Sequence, residues 1–217
     1  MAKKKPTVLI ADDHEIVRAG VRNLLESGGY ACCGEAGNGR EAVKMAEALK
    51  PDVAILDVTM PELNGIEAAK QVLKLSPETK VLVFTVHDAE QVVVDIFRTG
   101  AHGYVLKSDA GRQLLDAVRC VLGGKHYFSS QVSEVIYSSM RNDLPHVVPK
   151  DEDKPTTRER EIIQLLAEGG SNKDVADKLG ISVKTVETHR AAIMRKLGLH
   201  SIGELVRYAI RNHIIEA

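Results

Sequence analysis

The chain has 217 residues, with 29 Lys plus Arg against 30 Asp plus Glu and a formal charge of -1. That balance excludes a polycationic tail, so a charge-driven partner has to be met by a local patch. Its 44% hydrophobic share suits ordinary packed cores, and no apolar run approaches the roughly 18 residues that a membrane span requires.

The lead Met-Ala-Lys-Lys-Lys-Pro is followed by an apolar stretch, 7–11, too short for a signal peptide, so a cytoplasmic location is expected. Five short runs rich in β-branched residues, 7–11, 31–36, 53–57, 81–85 and 103–106, alternate with helical patterns such as Ile16, Val17, Val21, Leu24 and Leu25. This spacing predicts βαβ units. Near-continuous apolar strands such as Val53-Ala54-Ile55-Leu56 predict helices on both faces, hence an α/β doubly wound five-stranded parallel sheet. Cys32, Cys33 and Cys120 lack CxxC spacing and are expected to be buried small apolar residues. From Ser129 one helical stretch runs to Met140, and 142–155, with three prolines and many charges, reads as a linker. Beyond it no strand pattern occurs. Capping-box pairs at Thr156 with Glu159, Ser171 with Asp174, and Ser201 with Glu204 predict a small all-α domain.

In an open parallel sheet, ligands gather at the carboxyl ends of the strands. The first strand ends in Asp12-Asp13, the third in Asp57 and the fourth in Thr85, while the fifth runs into Lys107. Three carboxylates, a hydroxyl and an ammonium thus converge on one rim. Clustered carboxylates repel, and oxygen-only ligands favour magnesium, calcium or manganese. A carboxylate beside such an ion can attack a phosphoryl group, with the lysine and the hydroxyl as partners for phosphoryl oxygens.

Asp12-Asp13, Asp57 followed by Met60-Pro61 and Gly65, Thr85, Tyr104 and Lys107 together resemble the receiver domain of bacterial two-component response regulators. The resemblance implies the flavodoxin-like strand order 2-1-3-4-5, with Asp57 accepting a phosphoryl group from a sensor histidine kinase. It implies Mg2+ held by Asp13, Asp57 and the backbone carbonyl of Thr59, Asp12 acting through water, and Thr85 and Lys107 on the phosphoryl oxygens. Tyr104 becomes the switch aromatic, and Thr59 and His87 occupy positions that tune dephosphorylation. Val86 departs from the pattern, being bulkier than the residue in many receivers.

In the second half, residues 171–186 form two helical patterns around Gly180, the second entered through Ser182 as N-cap, which is a helix-turn-helix pattern. The second helix, 182–197, is expected to bury Val186, Ile193 and Leu197, with His189 or Arg190 between, and to present Lys184, Glu187, Thr188, Ala191 and Arg195. Lys178 to Arg211 carry seven basic residues against Glu187 and Glu204. Thr157-Arg158-Glu159-Arg160-Glu161, Gly169, Ser171-Asn172-Lys173, Lys184-Thr185-Val186, His189 and Lys196-Leu197-Gly198 resemble the LuxR-type helix-turn-helix, and a receiver joined to it resembles the NarL/FixJ class over nearly the whole chain. The resemblance implies that 182–197 enters the major groove, with Lys184, Thr185, Glu187, Thr188, Ala191 and Arg195 contacting DNA, and that 201–212 supplies a dimer surface. Glu187 departs from the basic residue some members carry.

The expected organisation is a receiver over 1–125, a linker with one helix over 126–154, and a four-helix DNA-binding domain over 155–217. The expected function is a transcription regulator controlled by phosphorylation, not an enzyme beyond self-phosphorylation and slow autodephosphorylation. Its expected partners are a sensor histidine kinase, an inverted-repeat double-stranded DNA site, a second copy of the chain upon phosphorylation, and RNA polymerase, with no membrane. An aspartyl-phosphate phosphatase of the haloacid dehalogenase type shares the nucleophile and metal chemistry, but places a second acid where Thr59 stands. A flavin module on the same fold is the third reading; its cofactor phosphate would meet an acidic rim.

Overall fold

The computed structural model describes residues 5–142 and 154–216. Most of the predicted linker, 143–153, lies outside the described residues. Five strands, β1 (Thr7–Ala11), β2 (Ala31–Ala36), β3 (Val53–Leu56), β4 (Lys80–Thr85) and β5 (Gly103–Leu106), form one sheet in the order β2-β1-β3-β4-β5, every pair parallel. The helices between them are α1 (Glu15–Ser27), α2 (Gly39–Leu49), α3 (Gly65–Leu75) and α4 (Glu90–Thr99). α5 (Ala110–Leu122) follows β5, and α6 (Ser130–Asn142) follows α5.

Strand alternation sorts the helices between the two faces. Val8, Ile10, Val53, Ile55, Leu82, Phe84 and Val105 face one way and pack with Val21 and Leu25 of α1 and Leu114 and Val118 of α5. Leu9, Ala11, Ala54, Leu56, Val81, Val83 and Tyr104 face the other and pack with side chains of α2, α3 and α4. Val132 and Ile136 of α6 join this second core. The chain reaches α6 through a short edge addition, in which Tyr127 N–H donates to His102 O at 2.9 Å and Tyr104 N–H to Tyr127 O at 2.9 Å.

The β1–β2 pairing shifts between Val8 and Leu9, which is a bulge accommodating one extra residue on the edge strand. Cys32 and Cys33 lie there half-buried, and Cys120 on α5 is half-buried too, so the cysteines are less enclosed than expected. Asp57 falls just past the end of β3 rather than within it, although its N–H still donates to Ala11 O at 2.9 Å and keeps it on the rim.

The second domain is helical: α7 (Thr157–Ala167), α8 (Asn172–Leu179), α9 (Val183–Lys196) and α10 (Ile202–Arg211). Its core includes Ile162, Ile163, Leu166, Val175, Val186, Ile193, Leu205 and Ala209. Thr156 and Ser171 form reciprocal capping boxes with Glu159 and Asp174. At Ser201 the hydroxyl caps Glu204 N–H, but the Glu204 carboxylate accepts from His200 N–H at 2.6 Å, one residue before the cap. Gly180 ends α8 at φ +63°, a left-handed turn that sets the approach of α9.

Candidate functional site

The parallel sheet delivers Asp12, Asp57, Thr85 and Lys107 to one edge because each stands at the carboxyl end of its strand. Lys107 Nζ lies 2.6 Å from Asp12 Oδ2 and 2.6 Å from Asp57 Oδ2, joining the ends of β1, β3 and β5. Both carboxylates are buried, at 2% and 4% exposure. The second oxygen of Asp12 accepts from His14 N–H at 2.9 Å, and that of Asp57 from Val58 N–H at 2.7 Å. Burial pushes the Asp57 carboxyl up, and Asp12 adds to this, while Lys107 opposes it. Burial alone would lower Lys107, yet its two carboxylate partners hold it above the usual lysine range. The arrangement is a buried carboxylate kept beside a fixed cation, which is suited to developing phosphoryl charge.

Gly65 makes this proximity sterically possible. A Cβ there would sit 1.8 Å from Asp57 O, so α3 could not start so close behind the end of β3 with any other residue.

Asp13, which is exposed, has Oδ1 2.7 Å from His14 Nδ1. Asp12, Asp13 and His14 place ligand atoms within 4.8 Å of one another and can hold a divalent ion. The predominance of carboxylate oxygens fits a hard cation.

Thr85 is fully buried, and its Oγ1 accepts from His87 N–H at 3.3 Å. Tyr104 is buried, and its O–H donates to His87 O. Burial, with Asp88 nearby, pushes that phenol up to about 12. Val86 is 62% exposed. Thr59 Oγ1 lies 2.6 Å from His87 Nε2.

On α9, Lys184, Glu187, Thr188, Ala191 and Arg195 are exposed, and Thr185 is half-buried. Val186 and Ile193 are buried and Leu197 is half-buried. Ser182 caps the helix through Thr185 N–H at 3.0 Å. Arg190 reaches back to Asn172 Oδ1 at 3.4 Å and Lys196 to Glu159 at 2.9 Å, so these two cations brace the domain.

Sequence reasoning missed a contact between the domains. It falls on the loop that directly follows Asp57. Gln164 Nε2 donates to Met60 O at 2.8 Å, and its Oε1 accepts from Asn64 N–H at 2.8 Å. Glu168 accepts from Glu62 N–H at 3.0 Å, Lys178 pairs with Glu62 at 3.0 Å, and Gln71 donates to Glu161 at 2.8 Å. Arg40 lies 3.6 Å from Glu161, and Arg160 lies 3.8 Å from Glu67. The fit is imperfect: Glu67 Oε2 and Arg40 Nε are buried without a hydrogen bond, which lowers the net worth of docking. The polar run at 160, 161, 164 and 168, one face of a helix by spacing, was the available signal.

The model described as "Response regulator receiver domain" matches residues 8–119, and that described as "Bacterial regulatory proteins, luxR family" matches residues 155–209. The chain is 39% identical over 216 residues to the oxygen regulatory protein NreC of Staphylococcus aureus (strain JH9), covering 96% of this chain and 99% of that one. It is 36% identical over 218 residues to the "Uncharacterized transcriptional regulatory protein YxjL" of Bacillus subtilis (strain 168), with both chains fully covered. A two-component response regulator of the LuxR family from Aurantimonas sp. SI85-9A1 matches with TM-score 0.59 at 32% identity, over 64% of this chain and 99% of that one. RcsB from Salmonella enterica serovar Typhimurium, solved bound to a promoter with the phosphomimetic BeF3-, matches with TM-score 0.58 at 26% identity, over 94% of this chain and 98% of that one. Among the described residues, no helix is long and apolar enough to cross a membrane.

Proposed function

Because the chain belongs to the two-component response regulators that join a receiver domain to a LuxR-type helix-turn-helix, we propose that Asp57 is its phosphoacceptor and that phosphorylation there controls DNA binding. The observation that carries this is the Lys107 ammonium set 2.6 Å from both Asp12 and Asp57. An Asp57 oxygen attacks the phosphorus of a kinase phosphohistidine, the phosphorus–nitrogen bond breaks, and the imidazole nitrogen keeps the bonding pair. Thr85 and Lys107 then hold the phosphoryl oxygens.

Asp13, Asp57 and the Thr59 carbonyl, with Asp12 through water, are the groups that would hold Mg2+. When bound, that ion screens the incoming negative charge. The carboxylate-rich donor set supports this choice.

The domain division follows as a receiver over 1–125, a connecting segment with one helix over 126–154, and a DNA-binding domain over 155–217. Phosphorylation adds about -1.5 to -2 charge at the rim, and Thr85 and Tyr104 are the pieces placed to respond. The contacts on Met60, Glu62 and Asn64 support release of the helical domain as the outcome, since they grip the loop next to the modified residue. Released chains pair through α10 and read an inverted-repeat site, and RNA polymerase is a further partner. The location is the bacterial cytoplasm.

The test is Mg2+-dependent labelling by acetyl phosphate. Asp57→Ala abolishes it; a mutant that labels as the parent does would overturn the assignment. Asp13→Ala labels poorly and regains labelling as Mg2+ is raised, whereas a defect insensitive to Mg2+ would remove Asp13 from the metal site. Sedimentation with beryllofluoride should show a dimer, and an unchanged mass would sink the release-and-pair scheme.

A further inference from the structure

One imidazole links the phosphoacceptor rim to the far end of the helical domain. His87 Nε2 lies 2.6 Å from Thr59 Oγ1 and 3.4 Å from Glu216 Oε1. The His213 ring meets the His87 ring edge-on, centroids 5.8 Å apart. Through its backbone the same residue bonds Thr85 and Tyr104. Thr59 stands two residues past Asp57, and His87 two past Thr85, so the pair belongs to the rim itself.

The turn that brings Glu216 here is anchored. His213 adopts a left-handed φ of 52°, uncommon for a residue with a side chain. It is held there because His213 N–H donates to Ile210 O at 3.1 Å and Ile214 N–H to Ala209 O at 2.9 Å, while the Ile214 side chain is buried in the helical core. A strained turn persists where its surroundings determine it. The consequence is that His213 and Glu216 move with the helical domain as one body.

We propose that this C-terminal turn positions His87 against Thr59 and thereby restrains phosphoryl exchange at Asp57. The proposal rests on Asp57 being the phosphoacceptor. In loss of the group, a water oxygen bonds to phosphorus, the phosphorus–oxygen bond to Asp57 breaks, and the carboxylate and inorganic phosphate are left. In gain from acetyl phosphate, an Asp57 oxygen bonds to phosphorus and acetate departs. Both routes bring a reactant in beside Thr59, where a docked His87 narrows the approach. Undocking frees the imidazole, and both routes speed up. His87, His213 and Glu216 are positioning residues, since none is the attacking or accepting atom.

The experiment uses the full chain with Mg2+ and acetyl phosphate, following label gained and, after donor removal, label lost. Glu216→Gln and His213→Ala should each raise both rates roughly two- to tenfold. In a His87→Ala background, adding Glu216→Gln should change neither rate. The imidazole resonances of His87 should shift in the Glu216→Gln chain while those of His102 hold still. Unchanged rates in the two single variants, an equal Glu216→Gln effect with and without His87, or a stationary His87 resonance would each overturn the inference. Label that persists in Asp57→Ala would instead defeat the phosphoacceptor reading, which keeps the two failures apart.

Discussion

Gln164 and Asn64 are joined across the domain boundary, side-chain oxygen to backbone N–H at 2.8 Å, although 100 positions separate them. Asn64 also caps α3 through Glu67 N–H at 3.0 Å, so its own hydrogen bond to Gln164 fixes the first turn of the helix behind Asp57. Gln164→Ala removes the two hydrogen bonds that its side chain makes to the receiver, each worth about 0.5–1.5 kcal/mol net, together with its bond to Glu168. Undocked chains should become at least several-fold more frequent, and the amides of Glu62 and Asn64 should exchange hydrogen correspondingly faster. Equal exchange in mutant and parent would mean that this bond does not hold the domains.

Gly65→Ala sets a methyl group against Asp57 O, where the space is 1.8 Å. Relief requires α3 or the end of β3 to shift, at a cost of roughly 1–3 kcal/mol or more. Thermal unfolding of the receiver should move down, and labelling by acetyl phosphate should fall with it. A parent-like melting temperature would show that the helix can slide away freely.

His102 gives stability a pH dependence. Its Nδ1 accepts from Val81 N–H at 3.2 Å, which requires that nitrogen to be unprotonated. Burial first, then Lys80 and His126, hold the imidazole below its ordinary 6.5. A depressed histidine favours the neutral form when folded, so its contribution is complete above the unfolded value and is lost as pH falls through the folded one. The parent should lose thermal stability between about pH 7 and pH 5, and His102→Gln should flatten that slope. Parallel pH curves for the two chains would discard this account.

Along α9 the exposed cations and the exposed middle should separate in their effects. Lys184→Ala and Arg195→Ala should weaken all DNA sequences alike, each lowering the salt slope by about one unit. Glu187→Ala or Thr188→Ala should change the preferred base at one position, a mismatch being worth about 1–3 kcal/mol. Selection from random duplexes decides: the same half-site from parent and Glu187→Ala, or a site without two-fold symmetry, would remove α9 as the reader.

Strands, caps and the rim were legible because each is written locally. Alternation, strand-end acids and serine or threonine caps act over a few residues, so Asp12, Asp57 and Lys107 could be gathered from pattern alone. Contacts between domains are not written that way. Gln164 reads as one more polar helix residue and Asn64 as a cap, and nothing in either stretch names the other. The same holds for His87, a polar loop residue by sequence, whose partners Thr59 and Glu216 come from separate segments. At Ser201 the local pattern was correct but its geometry was not, since the Glu204 carboxylate found His200 N–H instead.

The grip of the helical domain on Met60, Glu62 and Asn64 ties the two ends of the molecule into one thermodynamic account. If a phosphoryl group at Asp57 favours the released helical domain, then anything that favours the released domain must favour the phosphoryl group by the same factor. Operator DNA that captured paired, undocked chains would be such an agent. On that condition the promoter is an effector of the receiver: at equilibrium with the same phosphoryl donor, chains seated on their operator favour the phosphorylated form more than chains in free solution do.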